Sequence, residues 1–370
     1  MRTVVVGAGR AGCRIAHELA RRLRIEAVLL DTDELTLRAL QHRHSLLVGD
    51  RLLDGNGTGR DLSMGRDAFD GDRYRVVEVI DRVKKVFDCL VVVSAYGGGT
   101  GGAADVLIDE LKRSYSEPVY HLGILPDEDA EPRVLANFAR SFRRIAEVSD
   151  AVFPVDVASL SRGRVQTQLN AVNRRVVECF SRLLRVGEYS SPEELGSRVL
   201  GARDVINTLS GVSTLGFAAR ELGKDAPTPE LVVELTKQAS SSPVLPCRVE
   251  SASRALVVVY GPRKYTDFVG SIPARLWIEE NVCAEVRGGD VPVRGAERVE
   301  VMVVYSGIAE SERLRYLYTL AKGAAEGRLQ AAKLGERLRL LEAKAEEVAS
   351  LAKGLHSLLE EVESGGRRKD

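Results

Sequence analysis

The first half of the chain alternates between two hydrophobic patterns. Short, unbroken apolar runs occur at Val4-Val5-Val6, at Ala27-Val28-Leu29-Leu30, from Phe87 to Val93, from Val119 to Leu125 and at Ala151-Val152-Phe153-Pro154-Val155. Stretches with helical spacing lie between them, one reaching about Arg24 and another running from Ala103 to Arg113. Runs rich in β-branched residues without polar alternation read as strands buried on both faces, with the intervening helices as their cover. The pattern predicts an α/β unit with a parallel sheet, in which ligands bind at the carboxyl ends of the strands. A long helical stretch follows from about Arg164 to Val186, then a second unit over about 209–310. That unit has strands expected from Arg254 to Tyr260 and from Val299 to Tyr305, and loops from Ala226 to Pro229 and from Ser242 to Pro246.

The tail has a different period. From Leu334 the apolar positions Leu338, Leu341, Ala345, Val348, Ala352, Leu355, Leu359 and Val362 follow at alternating steps of four and three, with charge on the other faces. That is a coiled-coil seam. Two readings stay open: self-association or partner binding through 334–362, or a long helix folded back on its own domain. The last residues, from Gly365 to Asp370, are expected to fray.

Length and composition narrow the classes. The 370 residues suit about two domains of ~100–200 residues each. Fifty-three basic and 53 acidic residues balance to a net charge of zero, so no global field argues for nucleic acid. Five scattered cysteines, with no C-x-x-C pair, argue against a disulfide framework and against zinc, and for a reducing compartment. The first residues run directly into a strand, leaving no room for a signal peptide, and no apolar run approaches the ~20 residues that span a bilayer. A cytoplasmic protein is expected.

Two glycine clusters carry the candidate chemistry. Gly7-Ala8-Gly9-Arg10-Ala11-Gly12 sits between a strand and a helix, where glycines let backbone approach a phosphate and the helix offers free N–H groups. Asp31 closes the second strand, where a dinucleotide-binding acid would meet a ribose hydroxyl. Alone, this segment fits NAD or FAD and an oxidoreductase. The second cluster, Gly97-Gly98-Gly99-Thr100-Gly101-Gly102, again lies between strand and helix; its successive N–H groups form an anion-binding nest and Thr100 adds a hydroxyl. Two nests on one sheet suit a polyphosphate held from both sides. His17, His42, His44, His121 and His356 have no metal-ligand spacing, and no serine-hydrolase or P-loop motif occurs.

The second cluster resembles the G-G-G-T-G-[ST]-G signature of the tubulin/FtsZ family. Gly9-Arg10-Ala11-Gly12-Cys13-Arg14-Ile15 is similar to the tubulin loop G-Q-A-G-C-Q-I, with Arg at both glutamine places. Asp31-Thr32-Asp33 resembles the N-T-D loop of FtsZ, and Asp54-Gly55-Asn56-Gly57-Thr58-Gly59-Arg60 the γ-phosphate-sensing G-x-G-x-G loop. The stretches from Asn173 to Glu188 and from Val205 to Gly216 look like the archaeal CetZ branch. The resemblance implies a Rossmann-like GTPase domain over 1–163, a central helix over 164–187 and a connecting segment over 188–208. A C-terminal α+β domain over 209–310 and a helical tail with heptads over 311–370 complete it. It implies GTP or GDP, with Mg²⁺, held by Gly9, Arg10, Ala11, Gly12, Cys13, Asp31, Thr32, Gly57, Thr58, Gly59 and the residues from Gly97 to Gly102. Glu131 would contact ribose, Asn173 guanine, and Asp156 matches a further acid.

In this family one subunit holds GTP and an acidic loop of the next positions the attacking water, so head-to-tail filaments and a role in cell shape or division are implied. The matching loop is Gly201-Ala202-Arg203-Asp204: Asp204 falls on the second of the family's acids, and Gly201 on the first. Gly102 also stands where a Ser or Thr hydroxyl bonds phosphate. The first departure implies altered positioning of the water, with two outcomes open: slower hydrolysis, or stabilisation of the phosphate charge by Arg203 itself. The second removes one phosphate contact, for which Arg10 is a compensating charge. A non-polymerising, nucleotide-bound interaction module acting through the tail is the remaining alternative.

Overall fold

The computed structural model describes residues 1–156, 176–187, 195–222, 228–283 and 285–325, with 339, 340 and 344. Strand β1 (Thr3–Ala8) is buried along its whole length, and its valines divide between two cores: Val5 belongs to one, Val4 and Val6 to the other. A strand covered on both faces needs apolar side chains at every position, hence the unbroken run. The chain continues through α1 (Gly9–Leu23), β2 (Glu26–Asp31), α2 (Glu34–Leu40), β3 (Ser45–Leu47), α3 (Leu62–Gly71) and α4 (Arg73–Val83). Then come β4 (Cys89–Ala95), α5 (Ala104–Ser114), β5 (Val119–Ile124), α6 (Pro132–Val148) and β6 (Ala151–Val155). Residues 176–185 form helix α7. The second half adds α8 (Ala202–Thr208), β7 (Gly211–Glu221), α9 (Pro229–Ser241) and β8 (Arg254–Gly261). It closes with α10 (Ile272–Asn281), β9 (Glu285–Pro292), β10 (Arg298–Ser306) and α11 (Glu312–Ala325).

The ten strands lie in one sheet, ordered β3-β2-β1-β4-β5-β6-β7-β10-β8-β9. From β3 to β7 all neighbours are parallel. Strand β10 then runs antiparallel to β7 and β8, with β9 parallel to β8 at the edge. Leu19 of α1 and Phe180 and Leu183 of α7 cover one face, whereas Phe69 of α3, Ile80 of α4, Leu107 of α5 and Phe138 of α6 cover the other. A third core joins Val232 and Leu235 of α9 to Val257, Val259, Val301 and Val303.

Two features differ from the sequence expectation. Only two strands were legible in the second unit, and the described residues there contain four. Strand β9 holds Gly288-Gly289, a pair depleted in strands, yet it pairs with β8 from Arg254↔Glu285 to Gly261↔Pro292, so the ladder rather than propensity fixes it. The two expected units also share the sheet, because β6 and β7 pair at Ala151↔Gly211 and Val152↔Val212. The expected boundary between 208 and 209 falls between α8 and β7. Helix α7 ends at the amino edge of the parallel strands, where the Met1 ammonium donates to the Val186 carbonyl oxygen at 2.7 Å. Asn173 and nearly all of the 334–362 heptads lie outside the described residues.

Candidate functional site

Four loops meet at the carboxyl edge of β1, β2 and β4. The first opens α1 at Gly9, whose φ of +73° suits glycine and where a Cβ would lie 3.0 Å from the backbone nitrogen of Gly101. The first and fourth loops therefore approach closely at Gly9 and Gly101, backbone to backbone. Thr32, after β2, shares a 2.7 Å hydroxyl–hydroxyl hydrogen bond with Thr100. The loop from Asp54 to Arg60 hangs on the same place: the Gly57 N–H donates to the Thr32 carbonyl at 3.0 Å, and the Glu34 N–H to the Gly55 carbonyl at 3.0 Å. Thr58 Oγ1 and the Asp61 backbone press on Gly99, where any Cβ would collide with them. Gly9, Thr32, Thr58 and the cluster from Gly97 to Gly102 thus come together at one edge of the sheet, with Ala11 and Gly12 in the first turn of α1.

Side chains near it divide into those turned inward and those at the rim. The Cys13 thiol is buried, 3.5 Å from the Gly7 carbonyl and 3.4 Å from that of Leu30, and burial pushes its pKa well up. It packs into the core between α1 and the sheet. Asp31 is 3% exposed. Its Oδ1 accepts the N–H groups of Thr32 (2.8 Å) and Asp33 (3.3 Å), Oδ2 has no hydrogen-bond partner, and desolvation raises its pKa to about 6. Arg10 is at the rim, pairing with Asp33 at 2.7 Å and donating to Thr36 Oγ1 at 3.2 Å. Glu131, also exposed, pairs with Arg60 and so ties the third loop to the start of α6.

Beneath the fourth loop lies a support that no motif announced. Asn137 of α6 is buried and donates to the Arg60 carbonyl (2.9 Å) and the Gly97 carbonyl (3.2 Å). Ser141, one turn on, donates to the Tyr96 carbonyl at 2.7 Å. His121 lies 2.8 Å from Ser94 Oγ and 3.2 Å from the Tyr96 hydroxyl; complete burial lowers its pKa to about 3, so it is neutral. Among the described residues no group of three or more His, Cys, Asp or Glu side chains is arranged to hold a metal ion, and no helix is long and apolar enough to cross a membrane.

The acidic loop lies at the opposite edge. Gly211 opens β7 beside Ala151, the first residue of β6, so the residues just before it sit at the amino ends of the parallel strands. Strands of six residues set the two edges roughly 20 Å apart. Asp204 Oδ2 accepts the Gly201 N–H at 2.8 Å, and Oδ1 lies 3.8 Å from Arg287 Nε; the side chain remains 41% exposed. Arg203 is exposed. Gly187, with φ +81°, fixes the loop against the end of α7: a Cβ there would lie 2.7 Å from the Ala202 nitrogen.

Two family models match this chain, the Tubulin/FtsZ family GTPase domain over residues 2–163 and the C-terminal domain of tubulin-like CetZ over residues 163–323. The chain is 32% identical over 362 residues to the tubulin-like protein CetZ1 of Haloferax volcanii, spanning 87% of this chain and 92% of that one. It belongs to the tubulin-like CetZ family. Among solved structures, a GTPγS-bound protofilament of CetZ2 from Haloferax volcanii is similar with TM-score 0.81 and 30% identity, over 88% of this chain and 99% of that chain. A GDP-bound monomer of CetZ1 from the same organism gives TM-score 0.77 and 31% identity, over 88% and 100%. Nothing in these likenesses favours the dinucleotide reading.

Against the tubulin/FtsZ motifs, both departures have a local setting. At Gly102 a Cβ would come within 2.9 Å of the Tyr96 carbonyl oxygen and 3.0 Å of Leu62 Cδ1, so the space of a Ser side chain is already filled. At Gly201 the nearest atom to a Cβ is Asp204 Oδ2 at 3.7 Å, and φ is −93°, so a larger residue fits. Asp156 follows β6 on the carboxyl edge, two strands from β4; its buried carboxylate accepts from Arg313 Nε of α11 at 3.0 Å. The sequence brings this acid to the same edge but gave no sign of its arginine.

Proposed function

We propose that this chain is a cytoskeletal GTPase that binds GTP in the carboxyl-edge loops and assembles head to tail, so that Asp204 of one subunit reaches the nucleotide of the next. One observation carries the reading: the glycine loops and the acidic loop occupy opposite edges of one sheet. No single subunit brings them together, whereas stacking edge to edge does. The relatives support it, since the similar solved structures are a GTPγS-bound protofilament and a GDP-bound monomer of CetZ proteins.

Phosphoryl transfer to water needs a placed phosphate, a placed water and charge neutralisation. The N–H groups of Gly98 and Gly102 already donate to the Ala95 and Gly98 carbonyls. Those of Gly97, Gly99, Thr100 and Gly101, with the Thr100 hydroxyl, hold phosphate oxygens, and backbone donors suit an anion without sorting it by base. Mg²⁺, when bound, would supply charge neutralisation at the phosphates; among the described residues no group of three or more His, Cys, Asp or Glu side chains is arranged to hold it. Base and ribose fall to Asn173 and Glu131, with Asp156 on the same edge. Asp204 orients the water. With Gly201 in place of a second acid, hydrolysis is slow and the GTP-bound state long-lived. Such a filament works in the cytoplasm, in shape or division.

Chromatography of the nucleotide released on denaturation tests binding, and GTP or GDP is expected. Light scattering and phosphate release, followed against protein concentration, test the shared site. Both are expected to rise together above one threshold, and Asp204→Ala is expected to assemble without hydrolysing. Steady turnover below the assembly threshold would overturn the shared-site mechanism, and retained NAD or FAD would overturn the GTP assignment.

A further inference from the structure

Behind the loop from Asp54 to Asp61, helices α3 and α6 flank a cavity of about 510 Å³. Its lining includes Arg66 of α3, Arg133, Asn137, Arg140 and Arg144 of α6, and Asp61. The four α6 positions are spaced by four, three and four residues, which puts them on one face of a helix. Four guanidinium groups thus share the cavity with one carboxylate.

That carboxylate is already engaged. Asp61 Oδ1 accepts the N–H groups of Ser63 (2.9 Å) and Met64 (3.3 Å) as the cap of α3, and Oδ2 takes Arg133 at 3.0 Å. Arg66 pairs with the largely buried Asp105. Arg140 and Arg144 are exposed and have no ion pair or hydrogen bond with any described residue. The cavity therefore holds an excess of forked donors and a positive charge that nothing in it neutralises.

We infer that this cavity is a second anion site, distinct from the glycine loops, whose ligand is a compact polyphosphate. Guanidinium forks match phosphate oxygens bidentately, where an ammonium would offer only a point charge. The volume lies in the small-molecule range; an extended acidic peptide would need a groove reaching past the two helices. The site also touches the nucleotide loops from behind. Asn137 holds the carbonyls of Arg60 and Gly97, and Arg133 holds Asp61, which presses on Gly99. An anion that draws Arg133 off Asp61 loosens that loop, so anion and nucleotide binding are linked, and the linkage is reciprocal.

The test is calorimetric titration of inorganic tripolyphosphate into the full chain, previously loaded with its retained nucleotide, with released nucleotide monitored throughout. Saturable binding is expected near one per chain, weakening as salt rises. Affinity is expected to fall at least tenfold in Arg140→Ala/Arg144→Ala and less in Arg140→Lys/Arg144→Lys, with retained nucleotide and melting temperature unchanged. Three results would overturn the proposal: no binding to the wild-type chain, equal affinity in the double alanine variant, or release of one nucleotide per tripolyphosphate in both. Tighter binding of poly-glutamate than of tripolyphosphate would overturn the phosphate assignment and give the surface to an acidic protein segment.

Discussion

Thr32 and Thr100 join two loops across 68 residues of chain through a single 2.7 Å hydroxyl–hydroxyl hydrogen bond. Thr32 is completely buried, so its hydroxyl has no water to fall back on. Removing one partner of a buried pair costs about 1 kcal/mol net, and more if the other is left unsatisfied. Thr32→Val is therefore expected to weaken nucleotide binding by roughly 3–10-fold, with Thr32→Ser close to wild type. Titration with a fluorescent GDP analogue reads this directly; unchanged affinity would show that Thr100 is positioned by the nest alone.

Gly201→Glu is expected to raise turnover above the assembly threshold several-fold and to leave stability within about 0.5 kcal/mol, as for a surface substitution without a clash. The open space around a Cβ at this position licenses the change. If phosphate release per filament mass does not rise, Asp204 alone suffices to position the water.

Gly102→Ser gives the opposite outcome, although it restores a hydroxyl that the tubulin/FtsZ signature carries. The added atoms meet a backbone carbonyl at 2.9 Å and Leu62 at 3.0 Å. Overpacking of this kind destabilises by about 1–3 kcal/mol. A lower melting temperature together with weaker nucleotide retention is expected; tighter retention would mean that the Tyr96 segment yields easily.

Asp31 makes the nucleotide-free protein sensitive to pH. Its carboxyl titrates at about 6 in the folded chain against an ordinary 3.8, so between those values the folded state holds a proton the unfolded state has lost. Stability from this group is full below about pH 4, falls as pH rises, and stays lower by on the order of 2–3 kcal/mol above about pH 6. Asp31→Asn removes the titration. The melting temperature of the variant minus that of wild type is expected to climb from pH 4 to pH 7; a flat difference would show that the carboxyl carries no such burden.

The residues that were legible in the sequence and those that were not differ in how far their signal reaches. Val4-Val5-Val6 and the run ending at Val93 announce strands because two-sided burial dictates every position locally. Gly9 and the cluster from Gly97 to Gly102 announce closely packed loops because backbone approach demands glycine. Asn137 gave no sign, since an Asn on an amphipathic helix has no local mark until two distant carbonyls are set beside it. Strand β9 stayed hidden because its glycines oppose strand propensity and only its partner supplies the ladder. The acid of Asp156 was visible, whereas its arginine on α11, 157 residues away, was not.

The opposite-edge placement of the two loops has a temporal consequence. Any row of such subunits has unlike ends, one showing glycine loops and the other the acidic loop. On the proposed shared-site mechanism, a subunit at the first end has no carboxylate over its nucleotide until the next subunit arrives. The newest nucleotide at that end therefore waits, intact, for its neighbour. How many uncleaved nucleotides follow behind it then depends on how quickly subunits are added relative to the rate of cleavage at each joint, which would make the row a clock that starts at each addition.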